Sequence, residues 1–454
     1  MQAASHAFAS PTDRAWRSHN IARAEQANAD QLPLAFGRTD AGCVQSVGIV
    51  GAGLMGSAIA AASAAGGFKV VLADADAEVL QTVGDRIAAK LAQQDGLTDA
   101  QARRFAAEQV EPTAEIARVA GCDIVLESIV EDQATKQQLY AQLEPHLAEG
   151  TILASNSSGI PIEWLAEGMA DRGRFCGLHF LHPIRNPRLV EVVRGPQTTE
   201  QTLQLAVGYV EALGKIPCVV EDGPGFLVNR LLAPYYNAGL ELLADGVETA
   251  AVEWAAQQFG MDLGPIRLLD EAGLDTAMQC GGVLRDAFAG RLTPSPLLAT
   301  LVKWERLGRK AGRGFFTYSD TSEQAEVTGP DEDVRRAIDY WVREVKPAGP
   351  ETITAHLILP MLLEATRILE EGKVRDPWVI DLASVYGVGF PIARGGLFSW
   401  ADEVGAANLL AMLAPFEAVG ERFQPTETLL RLASTGGRFH DPADGGAPGR
   451  RKPR

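Results

Sequence analysis

The periodicity of hydrophobic and polar positions divides the chain into two halves. From Val47 onward, short apolar runs alternate with helical patterns; the runs begin VGIV, KVVLADAD, DIVLESIV, TILASN, RFCGLHF, LVEVV and IPCVV. Strands that alternate with helices predict a parallel, doubly wound α/β sheet over residues 45–222. After the DGPG turn at residues 222–225 the pattern predicts helices only.

The second half contains an internal repeat. LLAPYYNAGLELLADGV, from Leu231, matches LILPMLLEATRILEEGK, from Leu357, and QQFGMDLGP is echoed by SVYGVGFP. An offset of about 126 residues is too long for a solenoid. It predicts two copies of one helical domain, at 223–320 and 335–440, separated by a polar linker around 319–335.

The two ends of the chain lack this regularity. Residues 1–44 are rich in Ala, Asn, Gln and Arg and indicate a short helix followed by a linker. The final residues, 441–454, read DPADGGAPGRRKPR and indicate a disordered basic tail.

Composition narrows the classes of function. A chain of 454 residues with 46% hydrophobic positions is typical of a soluble enzyme of two or three domains. The net charge of −17 argues against a nucleic-acid partner or an anionic membrane surface. Five scattered cysteines predict a reducing, cytoplasmic environment, and no apolar run predicts a membrane span.

A glycine motif joins the first predicted strand to the first helix. Gly51, Gly53 and Gly56 have the GxGxxG spacing, with Leu54 and Met55 between the last two glycines. Such a loop lets a pyrophosphate approach the backbone and the helix N-terminus. Asp74 ends the next strand, where a carboxylate can hold the adenosine ribose, so the motif predicts NAD rather than NADP.

The stretch GLHFLHPIRNPRLVEVV, residues 177–193, contains the candidate acid/base group. His179 ends one predicted strand and Glu191 lies in the next, so a carboxylate can orient the imidazole for proton transfer. A metal pair of His179 and His182 is the alternative. Pro183 prevents the helix that this spacing would need, and no third ligand lies nearby, so we expect no metal.

Six motifs in order, GAGLMG, ESIVED, ASNSSGIPI, GLHFLHP, LVEVVRG and DGPGFLVNRLLAPY, resemble the L-3-hydroxyacyl-CoA dehydrogenase family. Residues 45–440 are similar to the dehydrogenase half of the multifunctional fatty-acid-oxidation α-subunits, which carry their C-terminal helical domain twice. The resemblance implies a Rossmann-like NAD-binding domain followed by two all-α domains. The enoyl-CoA hydratase half of those proteins is absent from this chain.

The resemblance also implies catalytic roles. His179 corresponds to the general base and Glu191 to its carboxylate partner. Ser158 corresponds to a serine that contacts the substrate hydroxyl and the nicotinamide, and Asn229 to an asparagine that positions the thioester. Tyr386 corresponds to a substrate-side tyrosine. The alternative for Ser158 and Asn229 is a cap or turn, and for Tyr386 a core aromatic.

On the cofactor side, the resemblance assigns Glu131, Lys136 and Lys310 to NAD. As alternatives, Glu131 and Lys136 could form a surface pair and Lys310 a charge at a helix end. The family's HFFNP reads HFLHP here, so His182 replaces an asparagine at the nicotinamide, and an imidazole cannot reproduce both amide hydrogen bonds. Arg86 and Lys90 are possible coenzyme A phosphate contacts.

The function implied is NAD-dependent oxidation of (3S)-3-hydroxyacyl-CoA to 3-oxoacyl-CoA in fatty-acid β-oxidation, with a thiolase or an enoyl-CoA hydratase as a possible partner. Three alternatives stay open. They are a dehydrogenase of hydroxy acids without coenzyme A, a reductive 3-hydroxybutyryl-CoA dehydrogenase, and a non-catalytic assembly subunit.

Overall fold

An eight-stranded sheet forms the centre of the first half. The structure, a computed structural model, describes residues 14–32, 44–95, 97–181, 188–322, 325–342, 345–346 and 348–441. The strands of the sheet are β1 Ser46–Val50, β2 Lys69–Ala73, β3 Val110–Thr113, β4 Ile124–Glu127, β5 Ile152–Ser155, β6 Phe175–Phe180, β7 Leu189–Arg194 and β8 Ile216–Glu221.

The strand order is β3-β2-β1-β4-β5-β6-β7-β8. Neighbouring strands are parallel except β6 and β7, which run antiparallel. The doubly wound sheet predicted from the strand–helix alternation is therefore confirmed, except that its last two strands, β7 and β8, run opposite to the other six. The short strand β3 was not predicted, because its sequence VEPT is polar and contains a proline.

Helices cover both faces of the sheet. Those of the first half are α1 Arg14–Gln31, α2 Leu54–Ala65, α3 Ala77–Asp95, α4 Asp99–Gln109, α5 Gln133–Leu143, α6 Ile162–Leu165 and α7 Glu200–Ala212. Side chains of a strand alternate between faces. Ile124 and Leu126 of β4 accordingly join one core with α2, α3 and α7, whereas Val125 joins the other core with α5.

The second half is mostly helical. Its helices are α8 Val228–Ala244, α9 Thr249–Phe259, α10 Pro265–Ala272, α11 Leu274–Ala287, α12 Pro296–Lys303, α13 Glu332–Trp341, α14 Pro350–Glu370, α15 Pro377–Ala383, α16 Leu397–Val404, α17 Ala406–Leu413 and α18 Glu427–Thr435. The prediction of helices only is wrong, because β9 Phe316–Tyr318 and β10 Val327–Pro330 form an antiparallel pair.

The internal repeat is visible in the helix pair α8 and α14, which pack against each other. Each contains one proline in its interior, Pro234 in α8 and Pro360 in α14. The turn after α9 ends at Gly260 with φ +106°, and the corresponding left-handed residue is Gly389. Gly389 lies two residues beyond Gly387, the glycine that the sequence match aligns with Gly260, because a π-helical turn, Ser384–Val388, lengthens the second copy.

The region predicted as a linker has regular structure. The range 319–335 contains β10 and the start of α13, and α13 packs against α8 and α12 of the first copy. The predicted start of the second copy at residue 335 therefore falls inside α13.

Helix α14 is the one described helix that is long and apolar enough to cross a membrane by length and composition. Within that helix, 89% of the apolar window is buried inside the protein. Its apolar surface is thus used for packing between the two helical copies.

The helix predicted in the N-terminal arm is present as α1. Ile21 and Ala24 of α1 are buried against the second helical copy, where α1 packs on α15. The Asn28 side-chain amide donates to the carbonyl of Pro217 in β8 at 2.9 Å. Helix α1 therefore joins the sheet edge to the far helical copy. The predicted tail falls outside the described residues after residue 441.

Candidate active site

The glycine loop between β1 and α2 has the shape that a dinucleotide needs. Gly51 has φ +103°, and a Cβ on Gly56 would lie 1.8 Å from the Gly51 carbonyl oxygen, so both positions require glycine. A Cβ on Gly53 would meet no described atom within 4 Å. The second glycine therefore faces open space at the N-terminus of α2, which fits a pyrophosphate.

Asp74 stands at the end of β2, as predicted, and braces this loop. Its Oδ2 accepts a hydrogen bond from the Ala52 amide at 2.6 Å, and its Oδ1 accepts from the Asp76 amide at 2.9 Å. Arg86 of α3 donates from Nη2 to the Ala52 carbonyl at 2.8 Å. The structure therefore places Arg86 at the glycine loop, with Lys90 one turn further along the same helix; their coenzyme A contacts stay a prediction.

His179 and Glu191 form a direct pair. They are opposite residues in the antiparallel ladder of β6 and β7. Nδ1 of His179 and Oε2 of Glu191 are 2.5 Å apart, and the two side chains are 5% and 0% exposed. Because Nδ1 faces the carboxylate, the other ring nitrogen, Nε2, is free to act on a substrate.

Helix α8 holds the other carboxylate oxygen of Glu191. Oε1 accepts hydrogen bonds from the amides of Leu227 at 2.8 Å and Val228 at 3.0 Å, which are among the first amides of α8. Such amides lack partners within the helix, and the positive end of the helix dipole favours an anion there. Glu191 is thus fixed from two elements, and it fixes the imidazole in turn.

Ser158, Asn229 and Glu131 form a second group beside this pair. Glu131 Oε1 accepts from the Ser157 hydroxyl at 2.5 Å and from the Ser158 amide at 2.8 Å. The Asn229 side-chain amide donates to the Ser158 carbonyl. The sheet loop and α8 are therefore hydrogen-bonded to each other through two predicted site residues.

Lys136 is buried beneath this group rather than exposed beside the cofactor. Its ammonium lies 2.6 Å from Glu127 and 3.2 Å from Glu131, and the side chain is 1% exposed. The surface-pair alternative is therefore wrong for Lys136. The ammonium holds Glu131 in place, so any effect of Lys136 on NAD binding passes through Glu131.

Glu127, at the end of β4, was not identified from the sequence as a site residue. Besides Lys136, it accepts hydrogen bonds from the Tyr140 hydroxyl at 2.6 Å and the Ser155 hydroxyl at 2.7 Å. Burial, and then the charge of Glu127, raise the pKa of Tyr140 well above its ordinary value, so Tyr140 stays protonated and donates. The sequence feature that could have identified Glu127 is an acidic residue at the end of an otherwise apolar strand.

A cavity of about 960 Å³ connects these groups. Its wall includes six predicted site residues and extends along the helical half; the first five are Leu54, Met55, Ser158, His179 and Asn229. Lys310 also lines the cavity, where its ammonium lies 2.6 Å from Asp275 at the start of α11. The cavity therefore reaches from the glycine loop past the imidazole into the helices.

Tyr386 does not reach this cavity. It belongs to the π-helical turn, and its hydroxyl donates to Glu25 of α1 at 2.7 Å. Burial and Glu25 raise its pKa to about 12. The hydroxyl is therefore hydrogen-bonded to the N-terminal helix, and the neighbouring Gly387 lines the cavity; the substrate contact of Tyr386 stays a prediction.

His182 lies outside the described residues, so its place at the nicotinamide stays a prediction. Among the described residues, no group of three or more His, Cys, Asp or Glu side chains could hold a metal ion. Asn156 is a further residue that the sequence reasoning missed. It lines the cavity, and its side-chain oxygen accepts from the Phe180 amide at 2.9 Å, which fixes the end of β6 beside His179.

Two family models match this chain. The NAD binding domain of 3-hydroxyacyl-CoA dehydrogenase matches residues 46–223, and the C-terminal domain of 3-hydroxyacyl-CoA dehydrogenase matches two segments, 225–318 and 353–444. The two segments agree with the predicted duplication of the helical domain.

Solved structures give the same picture. 3-Hydroxybutyryl-CoA dehydrogenase from Escherichia coli K12 is 25% identical with a TM-score of 0.72, over 86% of this chain and 98% of that one. (S)-3-hydroxybutyryl-CoA dehydrogenase PaaH1 from Ralstonia eutropha is 34% identical with a TM-score of 0.56, over 61% of this chain and 100% of that one. The dehydrogenase part of multifunctional enzyme 1 from C. elegans shares the fold at 23% identity and a TM-score of 0.61, over 91% of this chain and 98% of that one.

The glycine loop, the Asp74 brace and the matched NAD binding domain together confirm NAD as the cofactor. With both family models and these relatives, they establish that the chain belongs to the 3-hydroxyacyl-CoA dehydrogenase family of NAD-dependent oxidoreductases.

Proposed function

We propose that this protein oxidises (3S)-3-hydroxyacyl-CoA to 3-oxoacyl-CoA with NAD⁺, and that His179 is the general base. The observation that carries the proposal is the buried pair of His179 and Glu191, 2.5 Å apart, of which His179 lines the cavity that begins at the glycine loop. Dehydrogenation of an alcohol needs a base at the hydroxyl and a hydride acceptor at the adjacent carbon.

The chain's own residues handle the proton. Nε2 of His179 accepts the proton of the 3-hydroxyl as the C3–H bond gives up its hydride. The imidazolium that forms is stabilised by Glu191, whose charge is balanced at its other oxygen by the first amides of α8. In the reverse direction the imidazolium returns the proton to the ketone oxygen.

The residues around the glycine loop fit NAD. Gly51, Gly53 and Gly56 let the backbone approach the pyrophosphate, and Asp74 offers its carboxylate at the ribose end, where a 2′-phosphate would be repelled. Bound there, NAD⁺ supplies the hydride acceptor. Glu131 holds Ser158 at the side of the cavity that faces this loop.

Ser158 and Asn229 orient the substrate in this proposal. Both line the cavity beside His179, and the hydrogen bond between them fixes the loop after β5 to the start of α8. Reacting groups held in one geometry react faster than groups that must meet by diffusion. The serine hydroxyl would contact the substrate hydroxyl, and the asparagine amide the thioester oxygen.

The pathway and location belong to the same proposal. The similarity to multifunctional dehydrogenase halves supports a role in fatty-acid β-oxidation, in which an enoyl-CoA hydratase supplies the substrate and a thiolase consumes the product. The free thiols of Cys122, Cys176, Cys218 and Cys280 support a reducing, cytoplasmic location.

Reduction of acetoacetyl-CoA, followed by NADH absorbance, tests the proposal. We expect turnover with acetoacetyl-CoA, and a kcat/KM at least about 100-fold lower with free acetoacetate, since remote binding energy from coenzyme A is then lost. Equal rates with free acetoacetate would contradict coenzyme A dependence and favour a hydroxy-acid dehydrogenase.

A reductive 3-hydroxybutyryl-CoA dehydrogenase is the second candidate. The similarity to two proteins described as 3-hydroxybutyryl-CoA dehydrogenases favours it. A reductive enzyme would be expected to prefer NADPH, but the negative charge of Asp74 disfavours the 2′-phosphate of that cofactor. Comparing kcat/KM for NADH and NADPH separates the two, and a higher value for NADPH would favour the reductive function.

A further inference from the structure

The cavity continues well beyond the catalytic pair, along one face of α8. Asn229, Leu232, Tyr236 and Leu240 all line it, and they follow one another at intervals of three or four residues. Residues at this spacing share one face of a helix. The cavity therefore has an arm that starts at the reaction centre and follows α8 towards its C-terminal end.

Leucines also form the opposite wall of this arm. Leu268 of α10 and Leu298 of α12 line it, together with Leu292 in the loop between α11 and α12. That loop is fixed to α8, because the Thr293 amide donates to the Asn237 side-chain oxygen at 2.9 Å. The arm is thus lined largely by leucines, and the polar Asn237 side chain in its wall is already hydrogen-bonded to Glu241 and to the Thr293 amide.

The length of the arm can be read from the helix. Asn229 and Leu240 are eleven residues apart, which is about 16 Å along a helix axis at ~1.5 Å per residue. Half of the ~30 Å hydrocarbon core of a bilayer, roughly 15 Å, is the thickness that one lipid acyl chain fills. The arm is therefore as long as the acyl chain of a membrane lipid.

We propose that this arm binds the acyl chain of the substrate, and that the protein prefers long-chain over short-chain 3-hydroxyacyl-CoA. The inference rests on the proposed function, because it needs the 3-hydroxyl at His179. The thioester end is held near Asn229, so the chain runs along Leu232, Tyr236 and Leu240. Each methylene buried against these side chains strengthens binding. A four-carbon substrate would leave most of the arm without contacts.

Kinetics with 3-oxoacyl-CoA esters of four, eight, twelve and sixteen carbons, with NADH, test the preference. We expect kcat/KM to rise at least about tenfold from the shortest to the longer esters, because a pocket that binds methylenes discriminates by their number. A kcat/KM that is flat or falls with chain length, with turnover of the four-carbon ester intact, would overturn the preference alone. Absence of turnover with every ester would overturn the proposed function as well.

A substitution in the wall of the arm tests whether the acyl chain binds there. Ala299, next to Leu298 in α12, lines the cavity and is exposed, so Ala299→Trp can narrow the arm with little disturbance of the core. We expect the ratio of kcat/KM for the sixteen-carbon and four-carbon esters to fall at least about tenfold. Ala287→Trp, the same change at an exposed position of α11 outside the cavity wall, is the control and should leave that ratio unchanged. An unchanged ratio in Ala299→Trp would place the acyl chain elsewhere.

Discussion

Glu191 shows most directly how one side chain sets the catalytic geometry. It accepts two amides from the start of α8 with one oxygen and faces Nδ1 of His179 with the other. The carboxylate can only accept, so Nδ1 must carry a hydrogen and Nε2 must be the free base. The tautomer needed for proton abstraction therefore follows from the charge of a single buried residue.

Substituting Glu191→Gln tests this dependence. The new amide can donate to Nδ1, which places the hydrogen on Nε2 and removes the base, so we expect kcat to fall about 100-fold or more. The affinity for NADH, measured by fluorescence titration, should change less than about threefold. Glu149→Gln, at an exposed position, is the matched control. A kcat near that of the wild type would show that the tautomer is set by another group.

At the scale of elements, the glycine loop contains a position where a substitution should weaken cofactor binding without lowering folding stability. A Cβ at Gly53 meets no described atom but would project where the pyrophosphate is expected. We predict that Gly53→Ala raises the Kd for NADH about tenfold while the melting temperature changes by less than about 2 °C.

The control for this substitution is Gly84→Ala in α3, where a Cβ also meets no described atom. That change should raise stability by ~0.5 to 1 kcal/mol, because alanine favours the helix, and leave the Kd for NADH unaltered. If Gly53→Ala lowered stability as much as it weakened NADH binding, the loop would be structural rather than a cofactor site.

His440 fastens the end of the described chain to α15 and α16. Its Nδ1 is 2.7 Å from Asp402 and its Nε2 is 3.1 Å from Asp381, and the ring lies against Trp378. Burial lowers its pKa, but the two carboxylates outweigh burial and raise the pKa of His440 to about 9. Since the pKa is higher in the folded state, the imidazolium stabilises folding below pH ~6.5, and this contribution is lost as the pH rises through about 9.

Chemical unfolding at pH 6 and pH 10 measures this effect. His440→Gln should lower the free energy of unfolding more at pH 6 than at pH 10, by on the order of 3 kcal/mol. The exposed His146→Gln is the control, with little difference between the two pH values. An equal loss at both pH values would mean that the ring acts through packing on Trp378 alone.

Most elements were predictable because their hydrophobic period is strong. The seven predicted strands of the sheet and the helices of the repeat are apolar on at least one face, and burial follows that pattern. The exceptions are β3, β9 and β10, which are short, edge-like and partly polar, so their pairing depends on tertiary contacts rather than on pattern.

At the scale of the molecule, buried charges join the two helical copies. Arg230 of α8 is 2% exposed and forms ion pairs with Glu364 of α14 and with Glu371, the residue that follows α14. The centre of the Phe288 ring lies 4.4 Å from the guanidinium carbon of Arg230. The duplicated helices are therefore held in register by groups that are costly to bury unless they are paired.

Arg230→Met should lower the free energy of unfolding by about 3 kcal/mol, because the buried Glu364 loses its shortest ion pair and keeps only the longer contacts with Arg291 at 3.4 Å and Arg367 at 3.6 Å. The control Arg375→Met removes an exposed pair to Glu221 and should cost less than about 1 kcal/mol. Urea unfolding of both variants measures the difference. Similar small losses in both would show that Arg230 is not needed to fix α8 on α14.

Contacts between distant parts of the chain were not predictable from the sequence. Tyr386 donates to Glu25 across 361 positions of sequence. Nothing in either local pattern indicates this pairing, and the substrate-side role of Tyr386 rests on the family resemblance alone. His179, Glu191, Ser158 and Asn229 were found because their motifs are local; the fold then brings His179, Ser158 and Asn229 to one cavity, with Glu191 buried against His179.

The central claim is that His179 moves the substrate proton. The most direct measurement is the turnover of His179→Gln with NADH and the 3-oxoacyl-CoA ester that the wild type reduces best, with the Kd for NADH determined in parallel. We expect a kcat at least about 1,000-fold below that of the wild type with an NADH affinity unchanged within about threefold. Turnover within tenfold of the wild type would contradict the assignment of His179 as the catalytic base.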